Sequence, residues 1–193
     1  MPGFGRFRRE ARVAVEASAH GRESAGAEWR GRASHGLPHR VSFRWVLARE
    51  DRWHEPQQVK EAFENLLGES ITSWDSSENG KFQYCTPEDL LVYHCDQQKW
   101  AGVLYLSPDA PFETGTNLYA HKHTGVRNFD EPGFGPQVFS GGFYDATKFQ
   151  LVDTVGNVFN RVVIFDAHSI HAAAGYFGNS KETARLFQIF FFN

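Results

Sequence analysis

The amino-acid sequence predicts a mainly β domain, a barrel or a sandwich, supported by one helix that precedes the strands. Short apolar stretches rich in β-branched and aromatic residues recur along the chain, and loops rich in glycine and proline separate them, as in residues 107–135. Many short strands joined by such loops are typical of barrels and sandwiches. The predicted strands cover residues 81–85, 90–94, 100–106, 161–166 and 186–192.

One helix is predicted over residues 56–67. Val59, Phe63, Leu66 and Leu67 recur at the spacing of one helix face, and Gly68 fits the end of the helix. We expect this helix to buttress the sheet. A second, short helix is expected within residues 139–149, ending near residue 148.

The chain divides by composition into an N-terminal arm, residues 1–55, and a domain, residues 56–193. All eleven basic residues of the arm are Arg, and the arm carries a net charge of +4 against −7 for the rest. Its first 40 residues are rich in Gly, Ala, Ser and Arg and hold few large apolar groups. Such a segment buries too little surface to offset its ordering entropy. We therefore expect a partly disordered arm, with a short helix around residues 8–17.

The composition limits the expected cellular location and binding partners of the protein. The net charge of −3 gives no general attraction to nucleic acid or to membranes, so neither is expected as a partner. No run of eighteen apolar residues and no secretory signal are present. The two cysteines, Cys85 and Cys95, do not make a disulfide framework. A reducing, cytoplasmic location is the expectation.

A histidine and an aspartate two residues apart suggest a metal site. His94 and Asp96 would point the same way from an extended strand, because side chains alternate along it. Two imidazoles and one carboxylate form the facial triad of non-haem Fe(II) oxygenases. The chain holds nine His and nine Asp, so such a pair also arises by chance as a solvated or core pair. A second imidazole is needed.

The segment after residues 161–166 offers that imidazole and, further on, an arginine. His168 and His171 are both candidates. Arg185 begins an otherwise apolar stretch, where a charge is costly unless it pairs with an anion. A guanidinium suits a carboxylate held at two points. The alternative is a carboxylate of the protein itself, such as Asp166 or Glu182.

Taken in order, these residues resemble the Fe(II)- and 2-oxoglutarate-dependent dioxygenases, and more narrowly their prolyl-hydroxylase-like branch. The resemblance covers about residues 79–193. It implies a double-stranded β-helix, a jelly-roll, cupin-like barrel. It also implies His94, Asp96 and His171 as metal ligands and catalytic residues, with Arg185 and Tyr105 binding the distal carboxylate of 2-oxoglutarate.

The same resemblance implies the chemistry. The cofactor would be Fe(II), with 2-oxoglutarate as co-substrate, O₂ as oxidant and ascorbate as an auxiliary reductant. The protein would be an oxidoreductase, a hydroxylase that releases succinate and CO₂. Its substrate would be a small molecule or a peptidyl residue, and neither the substrate's identity nor the oligomeric state can be derived from the sequence.

Two features depart from that pattern or compete with it. Phe187 stands where many family members carry a Ser or Thr that also binds the co-substrate. The spacing of Gly115, His121 and His123 reproduces the opening of a cupin metal motif, without the glutamate that should follow. A non-catalytic or cupin-type metal-binding barrel that does not use 2-oxoglutarate is thus the alternative. For the iron site that the family resemblance implies, the candidates for orienting the imidazoles are Gln97, Gln98 and Asp166.

Overall fold

A computed structural model describes the backbone of residues 13–18, 27–30 and 40–43, and residues 56–74 and 78–193. The expectation of partial disorder in the arm falls largely outside these residues. Within the described residues, none of the helices has the length and apolar character needed to cross a membrane.

The structure is mainly β, with two antiparallel sheets in an arrangement compatible with a β-sandwich. The larger sheet has the strand order β3-β2-β1-β8-β5-β10-β4, and the smaller has the order β7-β6-β9. The elements are β1 Val13–Ser18, β2 Ala27–Arg30, β3 Arg40–Phe43, α1 Pro56–Leu67, β4 Phe82–Cys85, β5 Trp100–Tyr105, β6 Thr116–His121, β7 Phe149–Val155, β8 Arg161–Asp166, β9 His171–Ala173 and β10 Arg185–Phe192.

The predicted helix is confirmed as α1. Val59 and Phe63 are buried on its apolar face and join a core cluster with Ile164 of β8 and Phe190 of β10. The rings of Phe63 and Phe190 meet edge to face, 5.1 Å between centroids. The helix ends at Gly68, whose positive φ of 71° suits glycine. Burial of this face holds α1 against the larger sheet.

The strongly apolar strand predictions are confirmed, as β4, β5, β8 and β10, to within one residue at each end. The short helix near residue 148 is confirmed as a 3-10 turn, Ala146–Lys148. The strand over residues 90–94 is wrong, because this segment makes only an isolated bridge between His94 and His171. The three strands of the smaller sheet, β6, β7 and β9, were not predicted, because polar residues interrupt the apolar pattern of β6 and β7 and because β9 has only three residues.

The helix expected around residues 8–17 is wrong where the structure describes it. Residues Val13–Ser18 form β1, which pairs antiparallel with β8, Val13 lying opposite Ile164. This pairing gives hydrogen-bond partners to the backbone N–H and C=O groups at the free edge of β8, which a helix in its place would not do.

A cavity of about 240 Å³ lies between residues of both sheets. The larger sheet contributes side chains from β4, β5, β8 and β10, and the smaller sheet contributes β6 and β9. Four of the residues predicted from the sequence, His94, Asp96, His171 and Arg185, line this cavity.

Candidate metal site

The three predicted metal ligands come together in the wall of the cavity. Ligand atoms of His94, Asp96 and His171 all lie within 4.8 Å of one another. His94 and His171 exchange two backbone hydrogen bonds, of 3.0 and 2.9 Å, and the Asp96 amide donates to the Ala167 carbonyl at 2.8 Å. Backbone pairing therefore fixes the separation of ligands that are far apart in sequence. The group can bind a metal ion.

Backbone carbonyls orient both imidazoles. The Nδ1 of His94 lies 2.9 Å from the Val92 carbonyl, and the Nδ1 of His171 lies 2.8 Å from the Ser169 carbonyl. A carbonyl oxygen only accepts, so each Nδ1 must carry the hydrogen and each neutral ring presents the lone pair of Nε2. Those Nε2 atoms lie 3.6 Å and 3.3 Å from the two carboxylate oxygens of Asp96.

The expectation that Gln97, Gln98 or Asp166 would orient the imidazoles is therefore wrong. In each case the carbonyl two residues earlier in the chain takes that part. The Asp166 carboxylate accepts instead from the Asn128 amide and from the His168 backbone.

The convergent atoms are all acceptors, which fits a cation. Asp96 Oδ2 is buried and has no hydrogen-bond partner among the residues that the structure describes. Burial, with a smaller effect from His171, lowers the pKa of His94, so its neutral form is favoured. Lone pairs of two imidazoles and a carboxylate repel one another unless a positive ion lies between them. The donor set suits a divalent transition metal.

The other histidines are used differently. His168, the alternative third ligand, lies 2.7 Å from Asp130 and packs its ring against Phe129 at 3.9 Å, away from the group. His121 is buried and hydrogen-bonds Thr124 through Nδ1 at 2.9 Å. Over residues 56–74 and 78–193, neither His121 nor His123 belongs to a group of three metal-binding side chains. The cupin-type spacing thus finds no metal site there.

Arg185 lies in the wall of the same cavity and is only 2% exposed. Its Nε donates to the Thr114 carbonyl at 2.8 Å and its Nη2 to the Gly115 carbonyl at 3.2 Å. A Cβ at Gly115 would lie 1.8 Å from the Val155 carbonyl, so only glycine permits this approach of the chain.

The charge of Arg185 is not paired with a carboxylate in the described part of the chain, and neither Asp166 nor Glu182 takes that place. Burial lowers the pKa of Arg185 from its usual value. An arginine remains a cation at neutral pH even so. A buried guanidinium without a protein carboxylate beside it is stabilised by binding an anion from solution.

Aromatic side chains surround the guanidinium. The ring centroid of Phe187 lies 4.4 Å from its central carbon, and that of Tyr105 lies 5.5 Å away. Tyr105 is fully buried, and its hydroxyl hydrogen-bonds Thr116 Oγ1 at 2.7 Å. Tyr105 thus lies beside Arg185, as expected, while Thr116 presents its side chain to the cavity.

The rest of the cavity wall is largely apolar. Sequence reasoning missed three polar members, Gln83, Cys85 and Tyr176. No sequence signal marks them, because they meet only when distant strands and the loop before β10 fold together. The apolar part of the wall is formed mainly by Val92, Ala101, Val103, Phe165, Ile189 and Phe191.

Comparisons of the chain with protein-family models, with curated proteins and with solved structures found no match. The geometry of the cavity is therefore the basis for assigning a function.

Proposed function

We propose that this chain is an Fe(II)- and 2-oxoglutarate-dependent dioxygenase that hydroxylates an as yet unidentified substrate. The proposal rests chiefly on one observation. A metal-binding group of two histidines and an aspartate and a buried arginine without a protein carboxylate share one cavity. A small molecule that binds both groups needs one anionic group for the metal and a second anionic group for the guanidinium.

The His94, Asp96 and His171 side chains would hold the iron. Three protein ligands leave open coordination positions, which is the arrangement found in oxygenases of this type. Bound iron would supply the O₂ chemistry, and the protein supplies position and surroundings. The carbonyls of Val92 and Ser169 keep the two Nε2 lone pairs directed at the metal position.

Arg185 would pair with the far carboxylate of the co-substrate. A 2-oxo acid chelates a metal through its keto acid end, and a second carboxylate at the other end matches the guanidinium. This pairing supports 2-oxoglutarate over a monocarboxylic 2-oxo acid. The apolar wall would exclude water from the reacting centre.

The strand order supports a double-stranded β-helix, the finer form of the fold. One half would be β4-β10-β5-β8, and the other would be β7-β6-β9 with the segment at His94 as a fourth member. In this arrangement the bridge between His94 and His171 lies at the open end of the barrel. A jelly-roll barrel of this kind is also the fold that the family resemblance implies.

Turnover tests the proposal. Purified protein incubated with Fe(II), 2-oxoglutarate, ascorbate and O₂ should form succinate slowly without added substrate. His171→Ala should abolish the signal, and His168→Ala is the matched control, since His168 pairs with Asp130 outside the group. Failure to bind 2-oxoglutarate together with absence of succinate would reject the enzyme. Metal binding alone would then favour a non-catalytic or cupin-type barrel.

A further inference from the structure

One turn, directly after β8, supplies backbone carbonyls that hold two of the three candidate metal ligands. It runs from Asp166 to Ser169, whose amide donates to the Asp166 carbonyl at 3.0 Å. The Ala167 carbonyl accepts from the Asp96 amide at 2.8 Å. The Ser169 carbonyl accepts from His171 Nδ1 at 2.8 Å. The conformation of this turn therefore sets the backbone position of Asp96 and the ring orientation of His171.

Two side chains hold the turn in this conformation. Asp166 Oδ1 accepts from the His168 amide at 3.0 Å, and Asp166 Oδ2 accepts from Asn128 Nδ2 at 2.9 Å. The Asn128 Oδ1 accepts in turn from the Asp130 amide at 2.8 Å. A carboxylate only accepts and a backbone amide only donates, so these partners fix which side of the Asn128 amide faces Asp166. The Asp166 carboxylate thus acts on the backbone of the turn and not on an imidazole.

The loop that carries Asn128 lies against the turn. An isolated bridge pairs Asn128 with Ser169. On one side of this bridge the Phe129 amide donates to the His168 carbonyl at 3.0 Å. On the other side the Ile170 amide donates to a carbonyl of the loop at 2.7 Å. Backbone pairing on both sides therefore holds the Asn128 side chain at the turn.

We propose that Asn128 is a positioning residue of the metal site. Its hydrogen bond to the Asp166 carboxylate keeps the turn in the conformation that places the Asp96 and His171 ligands. The inference rests on the metal site of the proposed function, and it does not depend on the reaction that the metal supports.

An exchange of the two side chains tests this hydrogen bond in the full-length protein. Asn128→Asp places a second carboxylate opposite Asp166, so the bond is lost and two like charges repel each other. Its Mn(II) affinity should fall about 10- to 100-fold, which is the usual cost of losing a group that orients metal ligands. Asn128→Ala removes the bond without adding a charge, and it should weaken Mn(II) binding about 10-fold.

The double variant, Asn128→Asp with Asp166→Asn, restores an amide opposite a carboxylate. Acceptors still face the amides of His168 and Asp130, because the carbonyl of an Asn side chain and a carboxylate both accept. Its Mn(II) affinity should therefore return to within about twofold of the wild type, the range of a neutral change.

Electron paramagnetic resonance measures both the affinity and the arrangement of the ligands. The spectrum of the Mn(II)-saturated protein should change in Asn128→Asp and return to the wild-type form in the double variant. Gln57→Glu is the matched control. The Gln57 amide donates to Glu61 at 2.9 Å on the exposed surface of α1, so the same chemical change is made away from the metal ligands. This control should keep the wild-type affinity and spectrum.

The outcomes separate this inference from the proposed function. A variant at Asn128 that melts at a lower temperature but keeps the wild-type affinity and spectrum overturns the positioning role and leaves the metal ligands standing. A loss of affinity that the double variant does not restore also overturns it, since the effect would not then come from the hydrogen bond. A wild-type protein that binds no Mn(II) overturns the metal site, and the proposed function with it.

Discussion

Two groups in the cavity wall are opposite in charge and in construction. We call the group of His94, Asp96 and His171 the metal end and the surroundings of Arg185 the arginine end. At the metal end, two imidazoles and a carboxylate present lone pairs, and no donor from the described part of the chain reaches Asp96 Oδ2. At the arginine end, a buried guanidinium is held by two backbone carbonyls and aromatic rings, with no carboxylate beside it in the described residues. The first group therefore suits a cation, and the second suits an anion.

Different parts of the fold build these ends. Of the candidate metal ligands, His171 begins the three-residue strand β9, and His94 and Asp96 lie on a segment outside the strands that an isolated bridge joins to His171. Arg185 begins β10, the eight-residue strand paired with both β4 and β5. A change at one end should therefore leave the other end folded and able to bind its own partner. This independence makes the comparison testable.

The largest effect is expected at the metal end. Asp96→Asn should weaken Mn(II) binding more than about 100-fold. Mutation of a residue that only orients a metal ligand already lowers metal affinity by up to about 100-fold, and a ligand should contribute more. The amide of the Asp96→Asn variant can donate to an Nε2 lone pair, so the metal-free variant should be more stable than the wild type by about 1 kcal/mol. Titration by electron paramagnetic resonance and thermal unfolding with a chelator measure the two quantities.

The prediction combines weaker metal binding with a more stable metal-free protein, and each part can be contradicted separately. Unchanged metal binding would mean that Asp96 is not a ligand. A destabilised metal-free variant would mean that the convergent acceptors are satisfied without a cation. His168→Ala is the control, and it should keep full metal affinity.

The next effect is expected at the arginine end. Arg185→Gln keeps a side-chain donor but removes the charge, so 2-oxoglutarate affinity should fall about 100-fold, as for a lost charge-assisted pair. Mn(II) affinity should stay within about twofold. Calorimetry measures both, and circular dichroism checks the fold. Loss of metal binding as well would contradict the independence of the two ends.

A smaller effect is expected at Tyr105. Tyr105→Phe removes the hydroxyl that bonds Thr116, so the free energy of unfolding should fall by about 1 kcal/mol. 2-Oxoglutarate affinity should fall only about fivefold, since the hydroxyl is already engaged. Denaturant unfolding and calorimetry measure these changes. A loss as large as that in Arg185→Gln would make Tyr105 a principal ligand.

The same contrast explains what the sequence could predict. Helix α1 and strands β8 and β10 have long apolar patterns, and the sequence locates all three to within a residue. Arg185 stood out because a charge in such a pattern is costly. The pair at His94 and Asp96 was visible through its spacing, although the strand assigned to it is only a bridge.

Other features depend on contacts that no local pattern encodes. Strand β6 carries the polar residues Thr116, Asn117 and His121, so its sequence resembles that of a loop. It forms a strand because β7 and β9 pair on its two sides. The choice of His171 over His168 came from the family resemblance, and the structure explains it by the backbone bridge to His94. Tyr176 reaches the cavity only because the loop before β10 folds back.

The most direct test of the account is whether 2-oxoglutarate binding requires both ends of the cavity. Anaerobic calorimetric titrations would compare the wild type with and without Mn(II), and Arg185→Gln with Mn(II). The account predicts tight, one-to-one binding only in the metal-loaded wild type. Equal binding to the metal-free protein, or no binding to the metal-loaded wild type, would contradict it.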